Sequence, residues 1–344
     1  MKIMKKELAV LLTAVLGTAF LAGCGSSDGP TATLQNDAGT TPAVSEAVSV
    51  ETAPEENAAE TTPAETENAA SVSAEDAAAE GDQIILVVSF GTSYNESRDL
   101  TIGAIENAIA EEFPEYEVRR AFTSQIIIDK LAERDGLVID NVEEALERAV
   151  ADGIKTLVVQ PTHLMNGYEY TDLADALEDY REQFETVVLA EPLLTSDADF
   201  AAVADAITSR TADYDDGETA ICFMGHGTEA ASNIVYPQLQ DVLTENGYDN
   251  YFIGTVEAEP SLDDVLAAVG ENRDYTKVVL MPLMVVSGDH ATNDMAGDEE
   301  DSWKSCFAAE GYEVECILEG LGQNAEIQQI YVSHTQDAID SIAE

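Results

Sequence analysis

His226, Glu257 and His290 are the residues whose types and placement could do chemistry together. His226 stands in Phe223–Gly227 (FMGHG), Glu257 in Val256–Pro260 (VEAEP) and His290 in Gly288–Met295 (GDHATNDM). Each closes or follows a short apolar run, at Ala220–Met224, Tyr251–Val256 and Lys277–Leu283. Two imidazoles and a carboxylate suit a borderline divalent ion such as Co²⁺, Ni²⁺, Fe²⁺ or Zn²⁺, whereas Mg²⁺ and Ca²⁺ favour oxygen donors alone. A neutral imidazole is required for that bond, so acid should oppose it. A lone histidine is more often a hydrogen-bonded structural residue, but here three donors stand at the ends of three successive apolar runs.

Those places are strand ends. From Ile84 onward, eight apolar runs (Ile84–Phe90, Tyr116–Phe122, Thr156–Gln160, Thr186–Leu189, Ala220–Met224, Tyr251–Val256, Lys277–Leu283 and Glu313–Leu318) alternate with stretches of helical spacing such as Arg98–Glu112, Val142–Asp152, Tyr170–Gln183, Ile234–Asn246 and Leu262–Asn272. This alternation predicts an α/β protein with parallel sheets flanked by helices, four strands in each of two groups that divide near residue 218. In such sheets ligands sit beyond the carboxyl ends of the strands.

The groups resemble diverged copies. Ser89-Phe90-Gly91-Thr92 aligns with Gly225-His226-Gly227-Thr228, Phe122 through Leu131 with Glu257 through Leu266, and Pro161, Gly167 and Glu169 with Pro282, Gly288 and His290. The first-half counterparts of the three donors are then Phe90, Phe122 and Glu169. A metal on one wall of a cleft would face two aromatic rings and an acid on the other, a surface for something flat and apolar.

Lys2, Lys5 and Lys6 precede an apolar stretch from Leu8 to Leu21 and then Ala22-Gly23-Cys24, the pattern of an export signal ending in a bacterial lipobox. Cleavage before Cys24 and acylation of that cysteine would anchor the chain at the outer face of the cell membrane. Residues 1–24 are read as this signal. Gly25–Asp82, rich in Ala, Thr, Ser, Glu and Pro and free of Lys, Arg and aromatic residues, reads as a disordered acidic linker. Residues 83–218 and 219–344 are the two halves, the second carrying the metal donors. The formal charge of −53, from 15 basic and 68 acidic residues, excludes a nucleic-acid partner, which needs a basic surface. Cys222 lies in an apolar run and reads as a buried small hydrophobe, while Cys306 and Cys316 match no metal spacing and are left open as a pair outside the cell.

Seven segments, Leu86–Tyr94 (LVVSFGTSY), Arg120–Ser124 (RAFTS), Asn166–Tyr170 (NGYEY), FMGHG, VEAEP, Met281–Met284 with Gly288–Met295 (MPLM…GDHATNDM) and Asp301–Lys304 (DSWK), resemble the anaerobic sirohydrochlorin cobaltochelatase family over nearly all of residues 83–344. The resemblance implies two flavodoxin-like domains and a lyase-type enzyme that inserts Co²⁺, with Ni²⁺ or Fe²⁺ as alternatives, into sirohydrochlorin during cobalamin synthesis. It further implies that His226, Glu257 and His290 hold the metal and that Glu169 faces the tetrapyrrole. Tyr168 replaces the family's usual aspartate before that glutamate. Glu257 is open as third ligand or proton acceptor, and Glu169 as alternative base or substrate contact.

Of the other candidates, His163 is expected to be structural rather than cleft-lining, His334 a surface residue of the last helix, and Trp303 core or a cleft wall. Asp289 is the candidate partner for the second nitrogen of His290, and Asp298–Asp301 a solvated loop. No Gly-x-Ser-x-Gly elbow, P-loop or Gly-x-Gly-x-x-Gly occurs, so neither triad hydrolysis nor a nucleotide cofactor is implied. The export signal sets a second reading beside the enzyme, an exported lipoprotein that captures haem, a corrinoid or a metal ion for uptake without turnover. Whether the protein forms a homo-oligomer is left open.

Overall fold

The computed structural model describes residues 81–271 and 274–343. The signal at 1–24 and all but the last two residues of the linker 25–82 lie outside them. The first half runs β1 (Gln83–Ser89), α1 (Asn95–Leu100), α2 (Ile102–Glu112), β2 (Glu117–Phe122), α3 (Gln125–Asp135), α4 (Val142–Ala151), β3 (Thr156–Pro161), α5 (Tyr168–Tyr180), β4 (Thr186–Leu189) and α6 (Asp197–Thr211). The second runs β5 (Thr219–Gly225), α7 (Val235–Glu245), β6 (Tyr251–Thr255), α8 (Leu262–Glu271), β7 (Lys277–Pro282), α9 (Trp303–Ala309), β8 (Glu313–Cys316) and α10 (Ala325–Ser341).

All eight expected strands form, and they build two four-stranded parallel sheets of identical topology, β2-β1-β3-β4 and β6-β5-β7-β8. Strand order was the part that apolar runs could not specify. The central strands are apolar almost throughout because helices cover both faces of a parallel sheet. Side-chain alternation then divides each strand between two cores. Ile84, Leu86 and Val88 face a cluster confined to the first half, and Ala220, Cys222 and Met224 one confined to the second. Ile85, Val87, Ile221 and Phe223 point the other way, into one cluster shared by both halves.

Helix ends are locally encoded. Asn141 with Glu144 and Ser196 with Asp199 form reciprocal capping boxes on α4 and α6. The final helix departs from chain order. α10 packs on α2, α6 and β3 of the first half, and its Tyr331 hydroxyl donates to the Thr162 carbonyl at 3.0 Å while Thr335 donates to Gln160 Oε1 at 2.8 Å. His334 is correspondingly not a surface residue: it is buried, bracketed by the Asp199 carboxylate at 3.0 Å and the Glu191 carbonyl at 3.2 Å. A face of α10 that reads as polar in sequence is closed over by α6. Among the described residues no helix is long and apolar enough to cross a membrane.

The register corrects the pairing of the two halves. Ser89 stands opposite Phe122 as Gly225 stands opposite Thr255. One residue further, Ser124 N–H donates to the Phe90 carbonyl as Glu257 N–H donates to that of His226. The first-half counterpart of Glu257 is therefore Ser124, and that of Phe122 is Thr255. The connection from β6 to α8 is longer than that from β2 to α3, so an ungapped alignment slides by two residues.

Candidate metal centre

The Gly-His-Gly loop after β5 is shaped by its glycines. A Cβ on Gly225 would fall 2.2 Å from Cε1 of the buried Tyr236, and one on Gly227, at φ +85°, would fall 2.8 Å from the Ala258 nitrogen. Tyr236 in turn accepts a hydrogen bond from the Gly227 N–H at 3.1 Å. The loop is thus seated on a ring that only glycine admits, which aims His226 out of the sheet. Glu257 leaves the end of β6 held by its backbone bond to His226 at 2.9 Å. His290 caps a short π-helical turn, Ala291–Met295, beyond β7.

These three side chains converge. One donor atom from each lies within 4.8 Å of the others. The imidazole rings stand edge to face with centroids 4.8 Å apart, and Glu257 Oε2 lies 3.9 Å from His226 Nδ1. His226 Nδ1–H donates to the Gly227 carbonyl at 2.8 Å, and His290 Nδ1–H donates to the Asp294 carboxylate at 2.7 Å. Both bonds fix the tautomer, leaving the Nε2 lone pair of each ring for a metal ion. The cluster is partly exposed, as a site that receives and gives up an ion must be.

Asp294 is the partner of His290 that sequence reading missed. Asp289 lies next in the chain but turns away, accepting bonds from Tyr94 at 3.2 Å and from Asn293 at 3.0 Å. The signal was present: His290 and Asp294 are four residues apart, the spacing that brings side chains together on one helical face. Asp294→Asn is expected to weaken Co²⁺ binding by about 10–100-fold with little loss of stability. Competition titration against a chromophoric chelator measures the first and thermal melting the second.

The opposing wall is only partly as expected. Phe90, the counterpart of His226, is half exposed at the end of β1. Phe122 is not a cleft residue: it is fully buried with Ile102, Ile128, Leu131 and Ile139, its ring lying against Gly91, where a Cβ would meet Phe122 Cδ2 at 2.5 Å. The inward phase of β2 puts it in the core. Glu169 is exposed in the first turn of α5 and does not belong to the group formed by His226, Glu257 and His290. Trp303 is core, and Cys306 and Cys316 are free thiols.

His163, beyond β3, has both ring nitrogens closed off from solvent and unpartnered. Burial pulls its pKa down to about 4. The folded state therefore keeps it neutral while an unfolded chain takes up a proton near the ordinary 6.5. Stability from this residue is complete above that value and is lost as pH falls toward about 4, by on the order of 3 kcal/mol in all. In His163→Leu that loss should be absent, so urea unfolding at pH 7 and pH 5 should show the variant gaining on the native chain as pH falls.

Two parallel sheets of matching order, with a two-histidine, one-carboxylate cluster at the carboxyl ends of one of them, define a metal-handling protein of the chelatase type. The chain belongs to the cobalt chelatase (CbiK) family, whose model matches residues 83–340. It is 36% identical over 260 residues to the sirohydrochlorin cobaltochelatase of Salmonella typhimurium, covering 76% of this chain and 97% of that protein. To the sirohydrochlorin cobaltochelatase CbiKC of Nitratidesulfovibrio vulgaris it is 31% identical over 260 residues, covering 75% of this chain and 91% of the other. Among solved structures, SirB from Bacillus subtilis with Fe³⁺ shares the fold, with a TM-score of 0.54 at 12% identity over 76% of this chain and 98% of that one.

Proposed function

We propose that this chelatase inserts Co²⁺ into sirohydrochlorin, with His226, His290 and Glu257 receiving the ion. The observation that carries the reading is the pair of histidines whose Nδ1 atoms are both committed to protein acceptors, beside a carboxylate in the same 4.8 Å cluster. Insertion replaces two pyrrole N–H protons by one divalent ion, so the protein must loosen the ion's hydration and take up protons. The histidines hold the metal as substrate. Glu257 completes the donor set and accepts one of the two protons as the ion leaves, the other passing to solvent at this partly exposed cluster. Glu169 and Phe90, on the opposing half, are assigned to contact with the macrocycle. Ni²⁺ and Fe²⁺ are competing substrates, since ligand affinity alone does not select cobalt.

The N-terminal pattern, with Ala22-Gly23-Cys24 after an apolar stretch, supports an extracytoplasmic protein tethered through lipidated Cys24. That same pattern favours a second reading, capture of haem or a corrinoid for uptake, because it would separate the protein from a cytoplasmic biosynthetic route.

Purified full chain mixed with sirohydrochlorin and Co²⁺ and followed by absorbance tests the first reading. Metallation faster than the uncatalysed rate is expected. No acceleration, together with tight haem or corrinoid binding, would leave the capture reading. Membrane fractionation of cells expressing the native chain and Cys24→Ala tests the tether, which is overturned if both remain in the cytoplasm.

A further inference from the structure

A second feature opens beside the metal cluster. Ser93, Tyr94, Asn95, Lys130 and Arg134 line a cavity of about 290 Å³. Ser93 and Tyr94 lie in the turn that follows β1 at its carboxyl end, Asn95 opens α1, and Lys130 and Arg134 are one helical turn apart on the same face of α3. Tyr94 ties the cavity to the metal side: its hydroxyl donates to Asp289, the residue before His290, at 3.2 Å. That bond joins the cavity, on the first half, to the segment that carries His290.

Its charge is unusual for this chain. Among the described residues every lysine and arginine except Lys130 is ion-paired with a carboxylate. Arg134 is engaged by Asp135 and by Asn95 Oδ1 at 2.7 Å. The bond from Arg134 is the main cause that holds the Asp135 carboxyl down at about 2. Lys130 is exposed and has no such partner. In a protein with 68 acidic residues against 15 basic ones, an ammonium left without a carboxylate on the wall of a cavity is a charge available to a ligand.

We propose that this cavity is a subsite for a rim carboxylate of the tetrapyrrole, with Lys130 as the binding charge and the Ser93 and Asn95 side chains as neutral partners. The subsite rests on the chelatase reading above. A macrocycle with its central nitrogens at His226 and His290 carries acetate and propionate groups around its edge, and a carboxylate approaching so acidic a protein needs a positive contact. Lys130 supplies one in the first half, in a cavity that Tyr94 joins to the segment carrying His290, so the substrate is held from the rim while its centre stays free to receive the ion. A rim contact made equally before and during insertion lowers KM without raising kcat.

The test is titration of metal-free sirohydrochlorin into the full chain, followed by absorbance, for the native protein and for K130Q, K130R and K155Q. Lys155 precedes β3 at the other end of the sheet and pairs with Asp82, so K155Q makes the same change in net charge away from the cleft. K130Q is expected to bind about tenfold more weakly, K130R to recover most of that loss and K155Q to match the native chain. Added salt should weaken the native complex more steeply than the K130Q complex. In metallation assays the K130Q defect should appear in KM and not in kcat. If native protein binds and metallates sirohydrochlorin and K130Q behaves as K155Q does, the subsite is wrong and the chelatase reading stands. If the native chain neither binds nor metallates it, both fall.

Discussion

Replacing His226 and His290 together by alanine should abolish metal insertion and remove the high-affinity Co²⁺ site while leaving the fold intact. Both side chains are partly exposed, so truncation leaves no large cavity and little unpaired polarity. Loss of a residue that merely orients a ligand costs about 10–100-fold in metal affinity. Loss of two ligands should therefore cost about 10³-fold or more in rate at limiting metal. Thermal melting without metal should match that of the native chain to within a few degrees. Added Co²⁺ should raise the midpoint of the native chain and leave the variant unmoved, because an ion that binds only the folded state stabilises it. A double variant that keeps metallation near the native rate would remove these histidines from the mechanism.

Gly225→Ala should damage the site through the backbone. A methyl group there collides with Tyr236, which is buried and accepts the Gly227 N–H. Relief requires either the ring or the loop to move. Overpacking of this kind costs about 1–3 kcal/mol, and the loop that moves carries His226. A displacement of about 1 Å in a reacting group can cost on the order of 10²-fold in rate. The expected result is a folded but destabilised protein with metallation reduced about 100-fold. Gly225→Ala combined with Tyr236→Phe, which keeps the ring, should not recover. Tyr236→Leu, which frees the space, should restore part of the activity to the glycine variant.

Much of this was legible in sequence because it depends on local pattern. Parallel strands covered on both faces read as continuous apolar runs, so all eight were visible, and two copies of one arrangement betrayed themselves by repeating the same residues after the same strands. His226, Glu257 and His290 were found by their place at strand ends and by the motifs that resemble the cobaltochelatase family, and they are brought together by the fold. What failed depended on contacts between distant segments. Phe122 reads as an exposed strand-end aromatic, but the phase of β2 and the bare backbone of Gly91 draw it into the core. His334 looks like a polar position on the last helix until α10 is seen to cross onto α6 of the other half. Asp294 was passed over for Asp289 because adjacency in sequence is a poor guide on a helical turn, where a residue four places on lies closer than its neighbour. The unpaired state of Lys130 could not be read at all, since it follows from where every carboxylate in the fold goes.

On the proposed function, the cluster of His226, Glu257 and His290 delivers its metal to a tetrapyrrole. The most direct measurement of that transfer is a single turnover: the full chain loaded with one equivalent of Co²⁺, freed of unbound metal, and mixed rapidly with sirohydrochlorin while absorbance is followed. Cobalt is expected to pass from the protein to the macrocycle, one equivalent per chain, faster than from the same concentration of free Co²⁺. Preloaded cobalt that stays on the protein, with metallation slower than in free solution, would contradict it.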